Sequence, residues 1–347
     1  MLVLSFLWWL PSLETITARY SAMLGAIAKS TLADLLNNAR IARLMAALWK
    51  AVEPADDTNR GRLLAVDSMP VTMPATRRTN AAKLNNNTRG IGLMWSVALD
   101  APQGQIPVRI IHIPLKAWND SRLLRQHDLA PNGPVYLLDR GFYCFELIDK
   151  LLGDHVRFIM RARKHQMRYR IDRQLSNPRR LASGIAVELD ALVTLGSGAR
   201  GPHPRVRLIR AYLPPIGGAE PEDLFLVTPP SAASATKILD DYRRRDEIEK
   251  FHQALKSSLG LAHLYSFQVN GIQTLVYAAL MLATCILVMT KDAGPAQLPA
   301  TMTIASLIIL ALNALRDTKH IQRPWKRNIS TKRRWKKRKP PSPRRKK

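Results

Sequence analysis

Cysteine is nearly absent: the 347 residues hold two, Cys144 and Cys285, each inside an apolar run that suits a free buried thiol. That scarcity excludes a disulfide-stapled secreted module and a cysteine-based zinc site, and no histidine pair stands at ligand spacing. A glycine-rich phosphate loop is also missing, so ATP is not expected. No internal repeat occurs. Acid is in short supply, with 26 Asp+Glu against 53 Lys+Arg and a formal net charge of +27. A chain this basic attracts polyanions, nucleic acid first among them. Apolar residues make up 46%, which excludes wholesale disorder and allows a sizeable core.

The positive charge is uneven. Arg323 to Lys347 carries 14 Lys or Arg and no acid, yet the first 322 residues still hold +13. The tail has prolines, no apolar periodicity and strong self-repulsion, so it is expected to be disordered when free. Trp325 and Trp335 interleave with its charges and could stack on bases. Two apolar runs, Leu264 to Thr290 and Ala293 to Leu315, are long enough to test as membrane spans. Their polar residues, among them Gln268, Asn270, Gln273, Gln297 and Asn313, favour buried core helices instead. The start, MLVLSFLWWLPSL, is apolar but lacks a basic opening and a small-residue cleavage site, so it makes a poor signal peptide.

Along the chain the periodicity changes. Residues 1–60 read as helical. LLAVDSMPVTM then forms a short apolar strand ending near Asp67, and WSVALD and IPVRIIHI form a hairpin around Pro-Gln-Gly. A short helix fits Asn119 to Leu129. Pro134 to Asp139 is a second apolar strand ending in an acid, and FYCFELIDKLLG is a helix closed by Gly153. Residues 156–228 are strand-rich. From Ser231 a single long helix is expected, with Gly260 at its C-cap, and the apolar runs and tail follow. Strands alternating with helices imply an α/β core, here interrupted by an all-β insertion.

One stretch of the long helix concentrates chemistry. Tyr242, Arg245, Glu249 and Lys256 stand three, four and seven residues apart. At about 100° per residue they fall within an arc of roughly 60°. A carboxylate between cations can bind metal, while cations and a phenol grip phosphate oxygens. An isolated helix with these residues would as readily carry a solvated charged face, since such pairs are individually weak, ~0.3–0.5 kcal/mol. Asp67 and Asp139 change the weighing. Each is read at a strand's carboxyl end, on the rim where α/β sheets bind ligands. Three carboxylates from separate elements are what two divalent ions need, and two such ions can activate an attacking oxygen and stabilise a leaving one in phosphodiester chemistry.

With these residues in place, the sequence resembles the bacterial insertion-sequence transposases of the DDE, RNase H-like class. More narrowly it resembles the IS-four type, marked by Tyr-x2-Arg-x3-Glu-x6-Lys. YRRRDEIEKFHQALK fills all four places, and VYLLDRGFYCFELIDKL matches the pattern of apolar strand, Asp-Arg-Gly-aromatic and helix. The likeness covers about residues 61–290. It implies an RNase H-like mixed sheet flanked by helices, with the all-β insertion between the second Asp and the Glu helix. The corresponding segments are 1–60 (helical), 61–155 (core, first part), 156–230 (insertion), 231–320 (core, second part) and 321–347 (basic tail). It implies Asp67, Asp139 and Glu249 as the catalytic and metal-binding triad, for two Mg2+ or Mn2+ ions. Tyr242, Arg245 and Lys256 would hold transposon-end DNA. The implied reaction is hydrolytic nicking at the element end, then strand transfer by the freed 3′-hydroxyl. The implied partners are double-stranded DNA, at both transposon ends and target, and a second copy of the chain. A bacterial cytoplasmic, nucleoid-associated location follows, with no membrane. The alternative is an inactive, truncated DNA-binding remnant of such an enzyme.

The chain departs from the family in lacking any Trp between Trp118 and Trp325. Phe158, Tyr169 or Tyr212 could replace an indole that stacks on an everted base, though each also suits a core. The stretch before Asp67 is short for a DNA-binding domain. Arg161, Arg163, Lys164, His165, Arg168 and Arg170 cluster around one strand, where they suit a DNA backbone or a charge-protected sheet edge equally. Arg140 could orient a phosphate or form a local salt bridge. His252, near the stripe, is read as structural.

Overall fold

The computed structural model describes residues 29–52, 63–74, 80–83, 88–101, 104–113, 120–164, 167–196, 201–214, 222–253, 255–256, 261 and 266–292. The apolar N-terminus, the second apolar run and the basic tail lie outside these residues.

Two helices come first, α1 (Lys29–Asn37) and α2 (Ala39–Val52). A strand group follows: β1 (Leu63–Pro74), β2 (Ala82–Lys83), β3 (Thr88–Ala101) and β4 (Gly104–Ile113). Next come α3 (Asp120–Arg125), β5 (Val135–Leu138), a 3-10 turn over Arg140–Phe142, α4 (Phe145–Gly153) and β6 (Arg157–Arg161). The β-rich segment supplies β7 (Tyr169–Ser176), β8 (Arg179–Arg180), β9 (Ala186–Leu195), β10 (Arg205–Leu213) and β11 (Glu222–Thr228). Three helices close the described chain: α5 (Ala235–Arg243), α6 (Asp246–Gln253) and α7 (Val269–Asp292). The expected mixed α/β fold is the one observed, a parallel and antiparallel sheet flanked by helices, consistent with the RNase H-like class.

All eleven strands join one sheet, in the order β2-β3-β1-β5-β6-β11-β10-β9-β7, with β4 on β3 and β8 on β9. β1, β5 and β6 pair in parallel at its centre. These strands read as unbroken apolar runs because both faces are covered. Leu63 to Val66 of β1 are all buried, as are Leu137 and Leu138 of β5. The β-rich segment is therefore an extension of the same sheet. Its first strand, β6, lies parallel to β5 and antiparallel to β11.

Helices close the faces. α4 buries Leu147, Ile148 and Leu151, one apolar stripe at helical spacing. α7, within the first apolar run, packs on α1, α2, β3 and β4. Ile272, Leu275, Val276, Ala279 and Leu280 are among its buried residues, so this run is a core helix. Among the described residues no helix is long and apolar enough to cross a membrane. Asn270 and Thr274 of α7 donate side-chain hydrogen bonds to the carbonyls of Asn37 and Leu36, at 3.1 and 3.3 Å. Those bonds satisfy orphan acceptors at the carboxyl end of α1. Gly271 is needed for this approach, since a Cβ there would collide with Ser266 and Asn37.

Three expectations change. Asp67 does not end its strand: β1 continues to Pro74 because β3 pairs with it along the whole length, from Leu64↔Ala98 to Pro74↔Thr88. The single long helix is two, α5 and α6, with a break at Arg244 and Arg245. Its N-cap is Ser234, whose hydroxyl accepts from the Lys237 N–H at 3.2 Å. Cys144 is half-buried rather than buried: it occupies the N-cap of α4, with its thiol directed to Glu146.

Candidate active site

The parallel pairing of β1 and β5 runs from Leu63↔Val135 to Val66↔Leu138. The next residue on each strand is an acid, Asp67 on β1 and Asp139 just past β5. Backbone register therefore sets the two carboxylates side by side at the carboxyl end of adjacent parallel strands, the rim expected for ligand binding. The chain after Asp139 turns sharply, with Phe142 N–H donating to the Asp139 carbonyl at 3.0 Å. Asp67 is steadied by its neighbour, as the Ser68 N–H donates to its Oδ1 at 2.9 Å.

The helix break delivers the third carboxylate. The Glu247 and Ile248 amides bond to the Arg244 and Arg245 carbonyls, a tighter i to i+3 pattern than α-helix. Two side chains pull from this point. Arg244 donates to the Leu99 carbonyl on β3 at 2.8 Å, and Arg245 turns inward to the rim. One Arg245 terminal nitrogen lies 3.8 Å from Asp67 Oδ2 and 3.9 Å from Asp139 Oδ2. The other donates to Glu249 Oε1 at 3.0 Å. Three carboxylates from β1, the β5 end and α6 thus share one guanidinium. Arg245 is 7% exposed, and its Nε is buried with no hydrogen-bond partner. Glu249 is the most open of the three, its side chain 62% exposed.

The electrostatics are strained in one direction. Burial pushes the Asp67 carboxyl up to about 6; Arg245 and the Ser68 amide pull it down, while Asp120 and Asp139 push it further up. Burial works against the Arg245 charge, but Asp139, Tyr242, Asp67 and Glu249 outweigh it and raise the guanidinium's pKa. His252 on α6 places Nδ1 3.7 Å from Asp67 Oδ2. Burial first, then Lys256 and Arg245, hold it down to about 3, so the imidazole is neutral near pH 7 and the contact is not an ion pair.

Of the other stripe residues, Tyr242 is buried, and burial raises its phenol well above the ordinary range; Arg245, Asp139 and Arg161 are close enough to act on it. Lys256 is exposed, in a wide helical turn after α6. The break means that the four residues do not share one continuous helix. Among the stacking candidates, Phe158 is buried in the core, while Tyr169 and Tyr212 are exposed. The basic cluster near β6 is partly committed to acids: Arg161 pairs with Glu222, and Lys164 pairs with Asp223 at 2.6 Å. Arg163 donates to the Arg140 carbonyl at 2.9 Å, and among the described residues Arg140 forms no ion pair.

Two residues that the sequence reading left out adjoin the site. His252 was visible beside the stripe and set aside. Asp120, the first residue of α3, carried no signal beyond its place at a helix start, yet its charge acts on Asp67.

Carboxylate oxygens are the donors that hard divalent ions take, and this rim offers several with only one cation to neutralise them, so the residue types fit Mg2+ or Mn2+. Among the described residues no three His, Cys, Asp or Glu side chains close on a single point as an ion would require. The Arg245 guanidinium instead serves as their shared counter-charge.

A mixed α/β sheet with acids on the rim of its central parallel strands belongs with the RNase H-like, DDE class of folds. The family model of the transposase DDE domain matches residues 58–285, and the chain belongs to that family of transposases. No curated protein matches it.

Proposed function

We propose that this transposase is of the IS-four type and cuts double-stranded DNA at insertion-sequence ends, then joins the freed end to a target. The observation that carries the proposal is the sharing of Arg245 by Asp67, Asp139 and Glu249, three acids from three separate elements. A charged helix face alone would not direct its arginine to two strand-end aspartates.

Asp67, Asp139 and Glu249 would hold two Mg2+ or Mn2+ ions, which when bound supply Lewis-acid stabilisation of the charge on the phosphodiester oxygens. Asp67 and Asp139 are anchored on the rigid centre of the sheet, and Glu249 sits on the more exposed α6. Cleavage is attack of a water oxygen on the phosphorus at the element end, with the broken P–O bond leaving a 3′-hydroxyl. Strand transfer is attack of that 3′-oxygen on a target phosphodiester, which releases a target 3′-hydroxyl and requires no covalent protein–DNA link. Lys256, exposed beside the site, contacts backbone phosphate. Arg245, relieved of part of its carboxylate load, does the same from within, and Tyr242 supports it. The protein works as a homodimer on paired ends, at the nucleoid of the bacterial cytoplasm. The excess of basic residues suits that partner.

The test is Glu249→Gln in a nicking assay on the flanking inverted repeats with Mg2+. Nicking should be lost while salt-sensitive duplex binding remains. Undiminished nicking removes the proposed role. Binding without any cleavage by the natural sequence would mark an inactive remnant.

A further inference from the structure

Asp120 stands against both strand-end acids. The Ser68 side chain hydrogen-bonds to its carboxylate, and the Ser68 amide holds Asp67, so one residue ties the two acids together. On the other flank, Asp120 Oδ2 lies 3.5 Å from the point where a side chain on Gly141 would begin, two residues beyond Asp139. α3 packs on the 3-10 turn that Gly141 belongs to, which fixes this placement. The other oxygen, Oδ1, is shielded from solvent and has no hydrogen-bond partner. Among the described residues no basic side chain pairs with Asp120, whereas Arg245 serves Asp67, Asp139 and Glu249.

A helix-start aspartate ordinarily turns outward or caps its own helix. This one is turned into the site, with an oxygen that nothing satisfies. A buried carboxylate oxygen without donor or cation costs stability, and it persists where a ligand completes it. Burial, with Asp139 adding to it, raises the Asp120 carboxyl above its ordinary range, as expected for an acid lacking a counter-charge.

We infer that Asp120 is a fourth carboxylate of the divalent-cation site, its free Oδ1 a ligand to an ion shared with Asp67 and Asp139. The inference rests on the metal-dependent reading of that site. It assigns to α3 a direct part in the chemistry that the triad alone does not contain.

The test measures Mn2+ binding to the full chain without DNA, by calorimetry and by the paramagnetic resonance signal of the free ion. Asp120→Asn keeps the shape and the helix-start hydrogen-bonding capacity while removing the charge. Expected is a loss of about tenfold or more in Mn2+ affinity, or of one ion per chain. The same substitution should raise the unfolding temperature of the metal-free protein, because a buried, uncompensated charge is gone. Asp120→Glu, which restores the carboxylate, should recover part of the Mn2+ binding. If Asp120→Asn binds Mn2+ as the natural sequence does, while Glu249→Gln and Asp139→Asn bind it weakly, Asp120 is not a ligand and the triad reading stands. If all three variants bind as the natural sequence does, or none of the four proteins takes up Mn2+, the metal reading fails and this inference with it.

Discussion

Two clusters of buried charge in this sheet behave in opposite ways. In the β-rich extension, Arg207 on β10 meets Asp190 on β9 through two hydrogen bonds, at 2.7 and 2.9 Å. Ser176 donates a third bond to Asp190 at 3.0 Å, and the remaining Arg207 nitrogen donates to the carbonyls of Ser231 and Ala233. Both side chains are nearly sealed from solvent, and their hydrogen-bonding capacity is well used. At the rim, one guanidinium serves three carboxylates at 3.0 to 3.9 Å. There the Arg245 Nε and one Asp120 oxygen have no partner. The first cluster ties the extension to the loop that leads into α5, and so helps position the helices that carry Arg245 and Glu249. The second is left undersatisfied in the way functional sites are, where a ligand completes what the chain does not.

The comparison can be broken by mutation. The largest effect is expected on activity: Asp67→Asn or Asp139→Asn should lower element-end nicking by about 10³-fold or more, with little loss of fold, measured by the single-turnover rate and the unfolding midpoint. Next comes Arg207→Met, which strands Asp190 in the interior. It should cost roughly 3–5 kcal/mol in denaturant unfolding. If it cost no more than a surface substitution, the contrast between the two clusters would be lost.

The acid limb sharpens the contrast further. Asp67 has a folded pKa of about 6 against an ordinary 3.8. Its protonated form therefore favours folding, a contribution present in full below about 4 and lost as pH rises through about 6. In metal-free protein, Asp67→Asn should gain on the natural sequence by up to about 3 kcal/mol between pH 4 and 7, read from paired unfolding curves. His252 runs the other way. Its folded pKa is about 3, so its stabilising contribution is present above about 6.5 and falls away as pH drops toward 3. His252→Asn should flatten that decline. The smallest effect belongs to an exposed pair, Lys237 with Asp241 one helical turn away on α5. Lys237→Ala should change stability by about 0.5 kcal/mol or less.

The parallel centre of the sheet was readable in advance, because strands buried on both faces advertise themselves as apolar runs. The acids that follow them, Asp67 and Asp139, were readable for the same reason. β7 was not foreseen. Its sequence, YRIDRQLS, lies at the sheet's edge and is exposed along most of its length, so no buried face imposes a pattern on it. The break between α5 and α6 was also hidden. RRRDEIE suits a helix by propensity, and the interruption accompanies the reach of Arg244 to Leu99 and of Arg245 to the rim.

Local sequence alone determined that two apolar strands would finish their parallel pairing next to an acid, and that a tyrosine, an arginine, a glutamate and a lysine would recur at helical intervals. Burial and backbone pairing are short-range demands, and they leave a periodic trace. Tertiary structure decided which charges meet: that Arg245 is divided among three acids, that His252 is kept neutral, and that Asp120 is brought against the strand ends. Those outcomes depend on Coulomb and desolvation energies between residues from 3 to 182 positions apart in the chain, and such energies depend on distance and burial after folding, which leave no period in the sequence.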